Sequence, residues 1–250
     1  MPHTPRIPSA AARRRLIDAE NLERRAPAGG QHLLHPVSLQ LYEGDRVAVT
    51  GPTGAGKSVL LRLLALLDAP HGGEIRWCGE PVGHQDILRY RRSVAYLKQR
   101  AVMLDGNVAD NLHAPFALKI YSDLHYSQQT VLDLLAAAGR DAAFLTKKTS
   151  ELSGGEAQIT ALIRVLQLAP TVLLLDEPTA SLDPASAAVV EAMVEQWFAA
   201  QAGRALAWVS HDPAQAARIA NRTLQLQAGR VQQTDTLPHT LANDVQGVRP

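Results

Sequence analysis

Residues 46–67 read RVAVTGPTGAGKSVLLRLLALL. A β-rich run from Arg46 to Thr50 leads into Gly51-Pro52-Thr53-Gly54-Ala55-Gly56-Lys57-Ser58, and Val59 to Leu67 reads as a buried helix. The loop fits the pattern G-x-x-x-x-G-K-S. Glycines let the backbone wrap closely, so that N–H groups point at phosphate oxygens, and the following helix offers the positive end of its dipole. Lys57 would reach the β- and γ-phosphates and the Ser58 hydroxyl would ligate Mg²⁺. An ordinary glycine-rich turn is the plain alternative, and placement between strand and helix weighs against it. The loop predicts a nucleoside triphosphate and leaves the reaction open.

The rest of the chain extends this strand–loop–helix unit. Leu16 to Leu22 reads as a short edge strand, Ala26 to Gly30 as a turn, and Val37 to Leu41 alternates as a strand does. Glu74 to Cys78 and Val94 to Leu97 are further short strands. Between about residues 99 and 161 the pattern becomes helical: Asn107 to Leu118, Ser127 to Ala138, and a helix after Ser153, with no good strand. Thr171 to Leu175 (TVLLL) is a continuous apolar run, as in a central parallel strand. Pro184 to Gln201 reads as helix, Ala205 to Ser210 as strand and Pro213 to Ala220 as helix. Thr223 to Leu226 and Arg230 to Gln233 form a hairpin around Gly229. Alternating strands and helices predict an α/β parallel sheet carrying an inserted helical subdomain.

Composition excludes several classes. With 25 Lys plus Arg against 24 Asp plus Glu, the net charge is +1, which argues against a polyanion-coating surface and so against a nucleic-acid partner. One cysteine, Cys78, cannot make an internal disulfide. Val59 to Ala69 is interrupted by Arg62 and Asp68, whereas a membrane span needs roughly 20 apolar residues. The expectation is a cytosolic protein. Residues 1–15, rich in Pro, Ala and Arg without an apolar core, read as a disordered tail, or as a weak hold on anionic lipid through Arg13, Arg14 and Arg15. Residues 234–250 read as a second, loop-like tail, leaving 16–233 as the domain.

Two further segments carry chemistry. Val172 to Glu177 (VLLLDE) is an apolar strand ending in two carboxylates, and ligands of α/β sheets gather at carboxyl ends of strands. Asp176 suits Mg²⁺ ligation, and Glu177 is free to act as general base on an attacking water. Leu152-Ser153-Gly154-Gly155-Glu156 precedes an apolar helix, with Ser153 as its cap, and that helix start is a second anion site.

A phosphate loop, LSGGE about a hundred residues later, VLLLDEP, SLD and a strand ending in His together resemble the nucleotide-binding subunit of ABC transporters. The resemblance covers residues 16–233. It implies a P-loop NTPase (RecA-like) α/β core with an N-terminal antiparallel β subdomain and the helical insert. It also implies ATP hydrolysis, with ATP and Mg²⁺ as cofactors. On this resemblance Gln99 is the glutamine that touches Mg²⁺, Ser181-Leu182-Asp183 crosses a dimer interface, and His211 contacts the γ-phosphate and orients Glu177. Two copies would sandwich ATP between the phosphate loop of one and Leu152–Glu156 of the other. An integral membrane permease would dock on the helical section and on residues after Gln99, including Val102 and Met103. The chain would then sit at the inner face of the cell membrane.

Three positions depart from the family pattern. No aromatic residue lies between Glu23 and Ala28 to stack on adenine, which leaves two readings: Arg24 or Arg25 stacks by its guanidinium plane, or the base contact is weak. Ile159 stands where Arg is usual, and Glu156 where Gln is commoner. The runs at 107–112, 144–156, 162–177 and 208–212 are similar to a small bacterial group of iron exporters. The nine histidines show no i, i+4 or H-x-H ligand spacing, so this chain is not expected to bind the metal itself. A ribosome- or DNA-directed ABC ATPase would show a repeat or a coiled coil, and a P-loop kinase would lack LSGGE with His211.

Overall fold

A computed structural model describes residues 13–27 and 30–236. In chain order the elements are β1 (Arg15–Arg25), β2 (His32–Tyr42), β3 (Arg46–Thr50), α1 (Lys57–Leu64), β4 (Gly72–Trp77), β5 (Glu80–Pro81), α2 (Ile87–Ser93) and β6 (Val94–Leu97). There follow α3 (Val108–His113), α4 (Gln128–Ala137), α5 (Gly154–Leu166), β7 (Val172–Asp176), α6 (Pro184–Ala200), β8 (Ala205–Val209), α7 (Pro213–Ile219), β9 (Arg222–Gln227) and β10 (Arg230–Thr236).

The principal sheet has the order β10-β9-β3-β8-β7-β6 and is parallel except for β10, which closes a hairpin on β9. All five residues of β7 and of β8 are buried, which explains their unbroken apolar sequences: each strand is covered on both faces. Val172 and Leu174 pack toward α1 and the N-terminal sheet, while Leu173 and Leu175 pack toward α5 and α6, as the period-2 alternation of a strand requires. A smaller antiparallel sheet, β2-β1-β4-β5, covers the first face.

The structure corrects several readings of the sequence. β1 is an inner strand rather than an edge, paired with both β2 and β4. Its alternation breaks because the register shifts between Ala19 and Leu22, where Asn21 takes a left-handed φ of 51°. Arg13–Arg15 are not a free tail: Arg15 opens β1, and Arg13 donates to Asp45 at 2.7 Å. Residues 1–12 and 237–250 of the two expected tails, and Ala28 and Gly29 of the expected turn, lie outside the described residues. The helix expected over 107–118 ends at His113 and tightens into a 3₁₀ turn at Ala114–Ala117, because Pro115 lacks an N–H and disfavours continuation. α2 and β5 had no counterpart in the sequence reading; only Tyr90 of α2 is buried, so no apolar periodicity announces it.

Asp45, in the turn before β3, is fully buried. Its carboxylate accepts hydrogen bonds from the Tyr42 N–H at 3.0 Å, from Arg13 and from Arg222, joining the N-terminal strands to β9. Removing it leaves two guanidiniums without their shared partner. Asp45→Ala should therefore lower the unfolding free energy by about 3–5 kcal/mol, as read from urea denaturation.

Candidate functional site

The site forms where β3, β6, β7 and β8 end on the same edge of the parallel sheet. After β3 the chain turns at Gly51, whose φ is 138°; a Cβ there would lie 2.0 Å from the Leu226 carbonyl oxygen of β9, so a side chain cannot be accommodated. Gly56, at φ 96°, caps α1 in a left-handed conformation, and a Cβ would come within 2.9 Å of the Leu33 carbonyl oxygen. α1 has neither a side-chain cap nor an acidic residue in its first turn, so its first N–H groups remain available to an anion. The Lys57 ammonium donates to the carbonyls of Gly51 at 2.8 Å and Pro52 at 3.0 Å. Burial lowers its pKa, an effect that Glu177 and Asp176 oppose.

Asp176 closes β7 and is buried. One carboxylate oxygen accepts from the Ser58 hydroxyl at 2.9 Å and the other from the Tyr96 hydroxyl of β6 at 2.8 Å. Burial, followed by the Asp176 charge, raises the Tyr96 pKa, so it stays a donor. Glu177 leaves the strand with φ 49°, in the left-handed region that non-glycine residues seldom adopt. Its carboxylate accepts from the Gln99 amide at 3.1 Å and contacts His211 Nε2. Gln99, Glu177, His211, Lys57 and Ser58 thus share one cleft of about 860 Å³. Hydroxyl, carboxylate and amide oxygens are hard donors, the chemistry that Mg²⁺ takes.

The remaining predicted residues stand apart from this cleft. Leu152–Glu156 and Ser181–Asp183 do not line it but adjoin each other: a Cβ on Gly155 would lie 2.6 Å from the Ser186 hydroxyl at the start of α6. Ser153 caps α5 reciprocally. Its hydroxyl accepts from the Glu156 N–H at 3.2 Å, and its own N–H donates to the Glu156 carboxylate at 2.9 Å. Glu156 also pairs with Lys147 at 2.7 Å and Arg140 at 3.6 Å; the Lys147 hydrogen bond is the main reason its carboxyl stays below the usual range. Asp183 caps α6, accepting from the Ser186 N–H at 3.0 Å and hydroxyl at 2.6 Å, bonds that lower its pKa. Ile159 is buried in the apolar cluster beneath the sheet, so an arginine there would be a buried charge.

Arg24 and Arg25 do not reach the cleft. Arg24 donates to the Ala69 carbonyl at 2.6 Å and Arg25 pairs with Glu23 at 3.1 Å. The rim is instead lined by His32, His35 and Arg230, with the two imidazoles stacked at 4.4 Å and 11°. Burial, then Arg230 and His32, lowers the His35 pKa, favouring its neutral ring. Neither these residues nor Tyr96 belongs to a sequence motif. Residues three apart on a regular strand face opposite sides, so the spacing of His32 and His35 is no signal, and their stacking beside the phosphate loop depends on tertiary structure.

The family model described as ABC transporter matches residues 34–180. The chain is 40% identical over 223 residues to Protein STAR1 of Oryza sativa subsp. japonica, a match spanning 89% of this chain and 63% of that protein. It is 36% identical over 185 residues to the Probable iron export ATP-binding protein FetA of Escherichia coli (strain K12), spanning 74% of this chain and 80% of that protein. Among solved structures, a dimeric ATP-binding cassette in a post-hydrolysis state bound to ADP and Pi superimposes with a TM-score of 0.78 at 24% identity, covering 90% of this chain and 100% of the other. That last likeness concerns the fold.

The α5 cap yields a pH-dependent test. Glu156→Ala removes half of the capping box and both ion pairs, and should cost about 1 kcal/mol of unfolding free energy. Because the folded carboxyl titrates below its unfolded value, the deficit is complete above the unfolded pKa. It shrinks as pH falls through the depressed folded value, which paired denaturation curves at about pH 7 and about pH 3 would reveal.

Proposed function

The chain belongs to the ABC transporter family as an ATP-binding, ATP-hydrolysing subunit, and from that premise we propose that it works as one half of an ATP-sandwiched pair driving a separate membrane permease. The observation that carries this reading is the separation of two glycine-bearing helix starts, each suited by its N–H groups to an anion. The phosphate loop and the start of α1 face the cleft, whereas Ser153–Gly155 adjoin the start of α6 outside it. A second copy is what would bring the α5 start against the γ-phosphate.

In this reading the N–H groups of residues 51–58 cradle the phosphates, and Lys57 exchanges its two loop carbonyls for phosphate oxygens. Ser58 and Asp176, with Gln99 beside them, would hold Mg²⁺, which supplies positive charge to the phosphate oxygens. Glu177 accepts the proton of the attacking water as its oxygen bonds to the γ-phosphorus. The bond to the bridging oxygen breaks, and that oxygen leaves with ADP. His211, in contact with Glu177, orients the base and faces the γ-phosphate. Loss of phosphate then removes the contact favouring the closed pair.

The nucleobase platform in this proposal is the His32–His35 stack, because Arg24 and Arg25 are engaged elsewhere. The permease surface lies after Gln99, where Val102 and Leu104 are each more than half exposed, whereas Met103, expected to share that surface, packs partly against the core. Among the described residues no helix is long and apolar enough to cross a membrane, which fits a membrane role exercised through a partner on the cytoplasmic face. The cargo we assign is iron, moved outward, on the likeness to the E. coli relative named for iron export.

The experiment is ATP hydrolysis by the chain reconstituted with its permease. Wild-type turnover should rise when iron ions are supplied. Glu177→Gln should bind ATP and double its mass by light scattering, yet lose at least about 100-fold in turnover. Near wild-type turnover in that variant removes the base assignment, and indifference to iron removes the cargo. For the base platform, His32→Ala should raise the KM for ATP several-fold while Arg24→Ala leaves it unchanged.

A further inference from the structure

Behind the Glu177–His211 pair lies a second hydrogen-bonded centre that none of the nucleotide-binding motifs contains. Gln215, in the first turn of α7, is 8% exposed. Its amide N–H groups donate to the Thr179 hydroxyl at 2.9 Å and to the Glu191 carboxylate of α6 at 2.7 Å. Its carbonyl accepts from the Ser210 hydroxyl at 2.7 Å. Ser210 immediately precedes His211, and Thr179 lies two residues after Glu177. Arg218 donates to both oxygens of Glu191, at 3.1 Å to the one that Gln215 uses and at 3.2 Å to the other.

One amide therefore ties together the two segments that present the base and the histidine. Two features make such a tie necessary. First, Glu177 has a left-handed backbone, a conformation that persists only where surrounding contacts over-determine it. Second, a cavity of about 530 Å³ lies against the same segments, bounded by Glu177, Thr179, His211, Gln215 and Arg218. Close packing does not fill that side, so directional hydrogen bonds fix the segments there.

We propose that Gln215 is a positioning residue that sets the His211–Glu177 contact, and with it the rate of the hydrolytic step; this rests on the proposed roles of Glu177 and His211. Gln215 does not border the phosphate loop, so it acts on turnover and not on nucleotide binding. A displacement of about 1 Å at reacting groups costs up to roughly 100-fold in rate.

The test compares full-length variants for ATP hydrolysis and for binding of a non-hydrolysable ATP analogue. Gln215→Leu, close in shape but without the amide, should lower kcat by about 10- to 100-fold while KM and analogue affinity stay at wild-type values. A merely structural role would reduce the folded fraction and leave kcat per folded molecule unchanged. Gln215→Glu sets a second carboxylate against Glu191 and should also be slow. The double variant Gln215→Glu, Glu191→Gln exchanges donor for acceptor and should recover turnover to within about threefold of wild type, a recovery that also decides the matter if Gln215→Leu fails to fold. A folded Gln215→Leu with wild-type kcat, or a double variant as slow as Gln215→Glu, overturns the positioning role. If Glu177→Gln retains turnover while Gln215→Leu is slow, the base assignment fails and the positioning of His211 against it fails too.

Discussion

Parallel pairing in register is the constraint on which the site depends. Leu97 lies opposite Leu175, Asp176 opposite Val209, and Val49 opposite Val209, so four strands end level with one another. Gly51, Gln99, Glu177 and His211 each follow within two residues of those ends. Because side chains alternate with period 2, a slip of one residue in β7 would turn Asp176 toward the opposite face and break its bonds to Ser58 and Tyr96. Burial of β7 on both faces opposes that slip, since it would carry the Asp176 carboxylate into the apolar layer that holds Leu173 and Leu175. Core packing and the geometry of the candidate site are here the same requirement.

The two helix starts handle their free N–H groups in different ways. α1 begins at a left-handed glycine with no side-chain cap, leaving its positive end to whatever the loop holds. At α5 the reciprocal cap takes up the N–H groups of Ser153 and Glu156 and leaves those of Gly154 and Gly155, and Glu156 is further neutralised by Lys147 and Arg140. A glutamate at that position thus carries its charge into an existing basic pair, and the usual amide is not required for the reciprocal cap.

What the sequence disclosed and what it hid divide along locality. The phosphate loop, Asp176, Glu177 and the α5 cap are readable because their neighbours in space are neighbours in sequence, or sit at a strand end that any parallel sheet exposes. β7 was legible from its apolar run, and the terminal hairpin from Gly229. Tyr96 was not, because its bond to Asp176 joins residues eighty positions apart and exists only through the pairing of β6 with β7. The inner position of β1 was hidden by the register shift beside Asn21, which interrupts the alternation that marks a strand. Arg13 looked like part of a frayed basic tail because its partner, Asp45, lies in a distant turn. The guanidiniums of Arg24 and Arg25 were stacking candidates only because the family resemblance implies an aromatic in that stretch, and their carbonyl and carboxylate partners engage them elsewhere.

The missing side chain at Gly155 has a mechanical consequence. With only 2.6 Å between its would-be Cβ and the Ser186 hydroxyl, the beginnings of α5 and α6 have no slack between them, and Ser186 is itself bonded to Asp183. A push on the LSGGE segment is therefore delivered to the SLD segment without a compliant layer to absorb it. Two turns further along α6, Glu191 accepts from the same amide that braces His211, so one helix touches both the SLD segment and the histidine's support.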